Sequence, residues 1–199
     1  MKQYLLFSLF VIFVAGLPAQ NWQPFMAQDV YNYAFSGNLL IAETFVCDSV
    51  KDIGGDSLFY FQPHIKCLNC NTTQPEIYVK NQPHFLGRRM WKKPNGEYQF
   101  EDTASFSLFP SLGLNATWQF NATLTASIIS IDTSTLWGNT DSTKTIILSN
   151  ADTILLSKNH GILRFPSFSD TLLTYQLIGI QTRNLGVKAP ASPIFTTFK

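Results

Sequence analysis

Three cysteines and two histidines are the residues of this sequence whose types and spacing best suit a defined chemistry. Cys67 and Cys70 form a Cys-x-x-Cys motif, with Cys47 and His64 before it and His84 after it. One disulfide, either Cys67–Cys70 or Cys47 with one of them, is the favoured interpretation, since an odd count leaves one thiol over. Cysteine and histidine side chains are also the ligands of tetrahedral zinc sites. A redox-active Cys-x-x-Cys motif requires a helix N-terminus, and the sequence around this motif predicts loop and strand instead. We therefore expect no metal and no cofactor.

Ser157, His160 and Asp152 lie close together in the sequence and are the residue types of a hydrolase triad. The sequence lacks the Gly-x-Ser-x-Gly pattern that presents a strained nucleophile. Asn159 and Gly161 flank His160 and tolerate positive φ, which predicts a hairpin turn. The glutamates carry no context that marks a catalytic carboxylate pair. We expect a protein that is not an enzyme.

Trp91 is the tryptophan best placed for surface binding. Arg88 and Arg89 precede it, and Lys92 and Lys93 follow it. Exposed aromatic rings can stack on sugars, although most aromatic residues of a β-rich chain fill the core. We predict a binding surface at Arg88, Arg89 and Trp91.

The charges of the chain are balanced. Lys2 is one of the 14 basic residues, so removal of the N-terminus would leave 13 basic residues against 13 acidic ones. Binding to nucleic acid requires an excess of Lys and Arg, and so does binding to an anionic membrane surface. Neither function is predicted, and the identity of any partner stays open.

The N-terminus has the pattern of an export signal. A short positive start is followed by an apolar run over 4–16 and a small-residue exit, which predicts a signal peptide over 1–19. No transmembrane segment is expected once it is removed. We predict one β domain over 20–188 and a linker, or the truncated start of another domain, over 189–199. The protein is then secreted or displayed at the cell surface, with the periplasm as an alternative.

Alternation of apolar and polar residues over 116–128 is the clearest strand pattern. The alternation changes phase at Ile128–Ile129, which predicts a β-bulge or a turn. A tight turn at Asn121–Ala122, splitting the run into a hairpin, is the alternative.

Further strands are separated by short turns rich in Gly, Asn and Pro, which requires mostly antiparallel pairing. One short helix is predicted over 25–36. The predicted fold is all-β, a strongly curved antiparallel sheet that forms a half-barrel or barrel. The further predicted strands are Leu39–Val46, Ser57–Gln62, Ile77–Lys80, Tyr98–Glu101, Ser105–Phe109, Lys144–Ser149, Thr153–Lys158, Ile162–Phe165 and Thr174–Ile180.

Five segments of the chain carry a resemblance to a known group of proteins: Asp141–Ile146, Ile154–Pro166, Phe85–Met90, Leu177–Ile180 and Lys188–Pro190. Together they resemble a recurring block of large exported bacterial proteins of the Bacteroidota type, which often carry a type IX secretion sorting tail. The resemblance implies an N-terminal, β-rich extracellular module of no established chemistry. Such proteins continue into further domains, so the resemblance also implies a fragment whose partners are downstream domains of the same polypeptide.

The predicted function is that of a non-catalytic structural or binding module of a secreted or cell-surface bacterial protein. Two alternatives stay open. A curved sheet with an apolar concave face could carry a lipid-like ligand. The chain could also be an accessory domain of a secreted hydrolase.

Overall fold

The chain folds as an all-β protein in the computed structural model, which describes residues 22–65, 77–78, 84–101, 105–168, 170 and 172–187. The one helical element of this part is a 3-10 turn over Gln181–Arg183. The strands are β1 Val30–Phe35, β2 Glu43–Ile53, β3 Asp56–Ile65, β4 Ile77–Tyr78, β5 Arg89–Lys92, β6 Tyr98–Glu101, β7 Phe106–Leu108, β8 Thr117–Gln119, β9 Thr125–Leu136, β10 Asn139–Leu148, β11 Thr153–Ser157, β12 Gly161–Pro166, β13 Thr174–Ile180 and β14 Leu185–Gly186.

Twelve of these strands form one antiparallel sheet that nearly closes into a barrel. Their order is β7-β6-β5-β3-β2-β1-β13-β12-β11-β10-β9-β8, while β14 pairs with β13 and β4 with β3. The two ends of this order meet, because the Ser107 N–H donates to the Phe120 carbonyl at 2.7 Å and the Trp118 Nε1–H donates to the Ser107 carbonyl at 2.9 Å. The predicted barrel-like sheet is confirmed.

Aromatic rings fill the inside of the barrel. Phe25, which precedes β1, contacts the rings of Tyr31, Phe45 and Phe61 edge to face at 5.1–5.6 Å between centroids. Edge-to-face and offset pairs add roughly 0.5–1.5 kcal/mol each to the burial of apolar area. The fully buried side chains include Phe25, Tyr31, Tyr33, Phe45, Phe61, Phe100, Phe120 and Phe165.

The predicted helix over 25–36 is wrong, because most of that segment is strand β1. Both edges of Val30–Phe35 are paired, to β2 on one side and to β13 on the other. All its residues but the last are buried, so both faces of the strand are covered. A strand buried on both faces loses the alternation that identifies strands in a sequence.

The alternating run over 116–128 forms the hairpin of β8 and β9. The Asn121 Oδ1 atom accepts hydrogen bonds from the N–H groups of Thr123 and Leu124 at 2.9 and 2.8 Å, so the asparagine makes the turn. The phase change is a β-bulge, since Ser130 pairs with Thr145 and Ile128 with Ile146, which leaves Ile129 over. The alternative turn and the predicted bulge are both confirmed.

Among the other predicted strands, Tyr98–Glu101 and Thr174–Ile180 have the predicted bounds. β5 and the distal half of the β9–β10 hairpin were not predicted. The predicted signal peptide and the whole segment over 189–199 lie outside the described residues, as do Cys67 and Cys70. Within the described part, no helical segment has the length and apolar character that crossing a membrane requires.

Gly161 provides a test of how closely the backbone of the N-terminal segment packs against β12. Its φ is 78°, and a Cβ there would overlap the Pro24 carbonyl oxygen, which accepts the Ile162 N–H at 2.9 Å. Gly161→Ala should lower the free energy of unfolding by at least about 3 kcal/mol, because the backbone at Pro24 has to move. Gly54→Ala, at φ 63° in open space, should cost only about 1 kcal/mol. Urea unfolding measures both changes, and equal losses would contradict the role of the Pro24 contact.

Candidate functional site

A groove on the outside of the barrel is the candidate site of the described chain. Its wall is the tip of the β9–β10 hairpin, where Trp137 and Gly138 have φ angles of 47° and 80°. Two successive positive φ angles belong to the tight turns that fit the twist of a hairpin. A tryptophan is costly at such a position, since only Gly, Asn and Asp adopt it readily. Such strain is often retained where a side chain has a function.

The floor of the groove is a row of paired residues from three strands. Leu155 of β11 lies opposite Arg164 of β12, and Arg164 lies opposite Gln176 of β13. Ile154 and Phe165, next to them along the strands, are fully buried in the core. Because side chains alternate across a strand, the row faces outward.

The groove, which we name the Trp137 groove, has a volume of about 290 Å³. This is at the lower end of ligand pockets, which typically hold about 300–1,000 Å³. Apolar and polar side chains are mixed in it, and none of them is acidic. It is lined by Ser36, Thr135, Leu136, Trp137, Leu155, Leu163, Arg164, Gln176 and Leu177.

Arg164 supplies the positive charge of the groove. Its Nη2 donates to the Thr153 Oγ1 atom at 2.7 Å, which fixes one side of the guanidinium. Its Nε atom is buried and has no acceptor within the described residues. A buried donor without an acceptor costs about 1–3 kcal/mol. The guanidinium is therefore held in place while its charge is incompletely compensated.

The hairpin tip is held against the barrel by two further contacts. The Trp137 ring meets the His160 ring edge to face at 5.2 Å between centroids. A Cβ on Gly186 would stand 2.8 Å from the Trp137 Nε1 atom, so the indole lies against the backbone of β14. The position of Trp137 thus depends on a glycine and on a buried histidine.

A buried carboxylate joins the same hairpin to the turn between β11 and β12. Asp141 accepts a hydrogen bond from the Ser157 hydroxyl, one from the Asn159 N–H at 3.3 Å and one from the Asn159 side-chain amide at 2.9 Å. The Ser157 Oγ atom also accepts the His160 N–H at 2.8 Å. Buried polar groups whose hydrogen bonds are satisfied fix one arrangement of the backbone.

These residues do not form a hydrolase triad. A triad requires the serine hydroxyl to donate to the histidine ring. The Ser157 hydroxyl donates instead to Asp141, whose Oδ2 atom is 3.9 Å from the His160 Nε2 atom. Asp152 bonds within its own turn, to Asn150 at 2.7 Å. The predicted hairpin turn around His160 is confirmed. Burial lowers the pKa of the His160 imidazole.

Cys47 is a free thiol buried in β2, opposite Phe61. A pairing with Cys67 or Cys70 stays a prediction, because both lie outside the described residues, and within the described part no disulfide is formed by Cys47. Burial raises its pKa well above the usual range of a thiol. The Cys67–Cys70 disulfide falls outside the described residues and stays a prediction, as does any role of the His64 side chain. No disulfide is seen in the part that the structure describes.

His84 lies against the aromatic core. Its ring stacks on Phe45 at 4.5 Å between centroids, and its Nδ1 accepts the Leu86 N–H at 3.3 Å. Its Nε2 atom is buried without a partner among the described residues. Burial lowers the pKa of His84 to about 3. Within the described residues, no three His, Cys, Asp or Glu side chains are grouped as a metal would require.

The predicted surface at Arg88, Arg89 and Trp91 has its charges largely paired. Arg89 forms a salt bridge with Glu101. The Lys93 ammonium lies 5.1 Å from the centre of the Trp91 ring and 2.6 Å from Asp56. Arg88 is exposed and has interactions of its own. Lys93 thus covers part of the indole that we expected to be available for binding.

Lys144 is a basic residue that is buried, with only 2% of its surface exposed. Its ammonium donates to the carbonyls of Pro110 and Leu112 at 2.6 and 2.7 Å and lies 4.3 Å from the centre of the Trp22 ring. Burial lowers its pKa to about 8. A lysine with a lowered pKa can act as a nucleophile where a substrate reaches it. Because this one is enclosed, its evident role is to fasten the loop between β7 and β8.

Sequence reasoning missed the groove residues. Arg164 and Gln176 are far apart in sequence and meet only through the pairing of β12 with β13. One local pattern could have indicated the groove: Trp137–Gly138 stands between two β-prone segments. A glycine in such a position predicts a tight hairpin turn, and the hairpin places the tryptophan at its tip. Comparisons with known protein families, curated proteins and solved structures each found no match. The resemblance to Bacteroidota-type exported proteins therefore stays a prediction.

The lowered pKa of His84 predicts a loss of stability in acid. The unfolded histidine binds a proton below a pH of about 6.5, whereas the folded one does so only near 3. The unfolded state then carries more protons between these values, so the free energy of unfolding falls as the pH falls. From pH 7 to 5 this contribution falls by about 2 kcal/mol.

His84→Phe keeps an aromatic ring beside Phe45 and removes the titration. Urea unfolding at both pH values should show that the variant loses about 2 kcal/mol less than the wild-type protein. Parallel pH profiles for the two proteins would contradict the assignment.

Proposed function

We propose that this chain is a non-catalytic binding module of a secreted or cell-surface bacterial protein, and that the Trp137 groove binds its ligand. The observation that carries the proposal is the combination in one groove of a strained tryptophan, apolar side chains and an arginine without a carboxylate partner among the described residues. Concave apolar sites with a few fixed polar groups are the usual form of a ligand site.

The chemistry of the lining favours a sugar. Trp137 and the partly exposed Leu136 and Leu155 offer apolar surface for the C–H face of a pyranose ring. Ser36, Thr135 and Gln176 offer hydroxyl and amide groups that can donate to or accept from sugar hydroxyls. A purely apolar ligand would leave these polar groups without partners, at a cost in free energy.

A non-catalytic role is supported by how the reactive side chains are used. Ser157 and Asp141 hold the hairpin, and Lys144 holds a loop. Each is buried, with 3% of its surface or less exposed. A nucleophile or a general base has to come within hydrogen-bond distance of a substrate.

The exported location is proposed from the signal pattern over 1–19 and from the resemblance to Bacteroidota-type exported proteins. The lipid-carrier alternative has less support, since aromatic side chains occupy the inside of the described barrel. A role as the accessory domain of a secreted hydrolase is compatible with a sugar-binding groove and is a special case of this proposal.

An array of immobilised oligosaccharides and polysaccharides tests the proposed function. Trp137→Asn removes the indole and suits the positive φ of the turn. The full-length protein should bind a subset of the array, Trp137→Asn should bind that subset at least about tenfold more weakly, and no bound sugar should be cleaved.

Trp91→Ala is the matched control, because it removes the tryptophan of the surface predicted from sequence. It should bind like the wild-type protein. Loss of binding in Trp91→Ala with retention in Trp137→Asn would move the site to β5. Turnover that disappears in Ser157→Ala would replace the binding module with an enzyme.

A further inference from the structure

We propose that the ligand of the Trp137 groove carries a carboxylate, as in a uronic acid residue of an acidic glycan, and that Arg164 binds that carboxylate. The inference rests on the proposed function and adds the ligand class to it.

Arg164 differs from two other arginines of the structure in what surrounds its positive charge. Arg89 and Arg183 form salt bridges with Glu101 and Asp29. Arg164 has no carboxylate partner among the described residues, and no lining residue of the groove is acidic. A partly buried guanidinium without a counter-charge attracts an anion more strongly than an exposed one does, because screening by water is weaker there.

The guanidinium is also prepared for a carboxylate. The bond from Nη2 to Thr153 and the position in the middle of β12 restrict its rotamer. A planar fork of N–H groups matches the two oxygens of a carboxylate, and little side-chain entropy is then lost on binding. Sites on strands hold their geometry better than sites on loops.

The rest of the lining selects among anions. A single cation in the groove suits a monoanion, whereas a doubly charged phosphate would leave charge uncompensated. The Trp137 wall and the leucines require an apolar face on the same molecule, and Ser36, Thr135 and Gln176 require hydroxyl groups. A uronic acid residue has all three features: one carboxylate, an apolar C–H face and several hydroxyls.

Titration of the full-length protein with methyl glucuronide and methyl galacturonide, followed by ligand-observed NMR, tests the inference. The neutral methyl glucoside and methyl galactoside are the matched ligands. The uronides should bind at least about tenfold more tightly than the neutral glycosides, and added salt should reduce this difference.

Arg164→Gln should weaken uronide binding by roughly 10–100-fold and weaken binding of the neutral glycosides much less. Arg164→Lys keeps the positive charge without the planar fork of N–H groups. Its affinity for the uronides should lie between those of the wild-type protein and Arg164→Gln. Arg89→Gln is the matched control, since it removes the same charge from the surface at β5, and it should bind like the wild-type protein. Thermal unfolding of each variant confirms that it folds.

The results separate this inference from the proposed function. Equal binding of uronides and neutral glycosides, uronide binding that Arg164→Gln does not change, or no uronide binding would each overturn the carboxylate assignment. The proposed function would stand in those cases if the array still shows binding that depends on Trp137. An array without Trp137-dependent binding would overturn both.

Discussion

The near-closure of the sheet into a barrel is the constraint on which the rest of this structure depends. A twelve-strand antiparallel sheet has two edges whose backbone groups need partners, and here β7 and β8 meet through Ser107 and Phe120. Closure encloses an interior that has to be filled, since protein interiors are close-packed. Large, flat rings fill it with few residues, which explains the chain of contacts from Phe25 through Phe45 and Phe61 to Phe100. The N-terminal segment becomes part of the core, because Phe25 precedes the first strand of the sheet and yet is fully buried.

Because the interior is filled, the groove that we propose as the binding site lies on the outer surface. The β9–β10 hairpin extends beyond its neighbours, since β10 pairs with β11 only from Thr143 onward. The free end of the hairpin lies against the β11–β13 face, and the gap between them is the Trp137 groove. Asp141 and Ser157 fasten this hairpin, so the buried polar network holds the groove in position. Ser157 and His160, two of the residues that match the types of a hydrolase triad in the sequence, thus have a structural explanation.

Local patterns predicted much of the fold because their causes are local. Asn121 turns the chain through its own side chain, and the bulge at Ile129 appears directly as a change of phase. The helix over 25–36 failed because β1 has partners on both edges and burial on both faces, and neither property can be read from six residues. The candidate surface at Trp91 was chosen from neighbouring charges, whereas the structure gives Lys93 and Arg89 acidic partners from β3 and β6.

The sequence by itself determined the class of fold, the antiparallel pairing and most of the turns. These follow from side-chain alternation and from the φ preferences of Gly, Asn and Pro, which act over a few residues. Tertiary structure decided that the sheet nearly closes, that β1 is a central strand and that Arg164, Gln176 and Trp137 share one groove. Those outcomes depend on which strands become neighbours. Strand pairing brings together residues that are distant in the chain. No local sequence pattern therefore predicts the order β1-β13-β12.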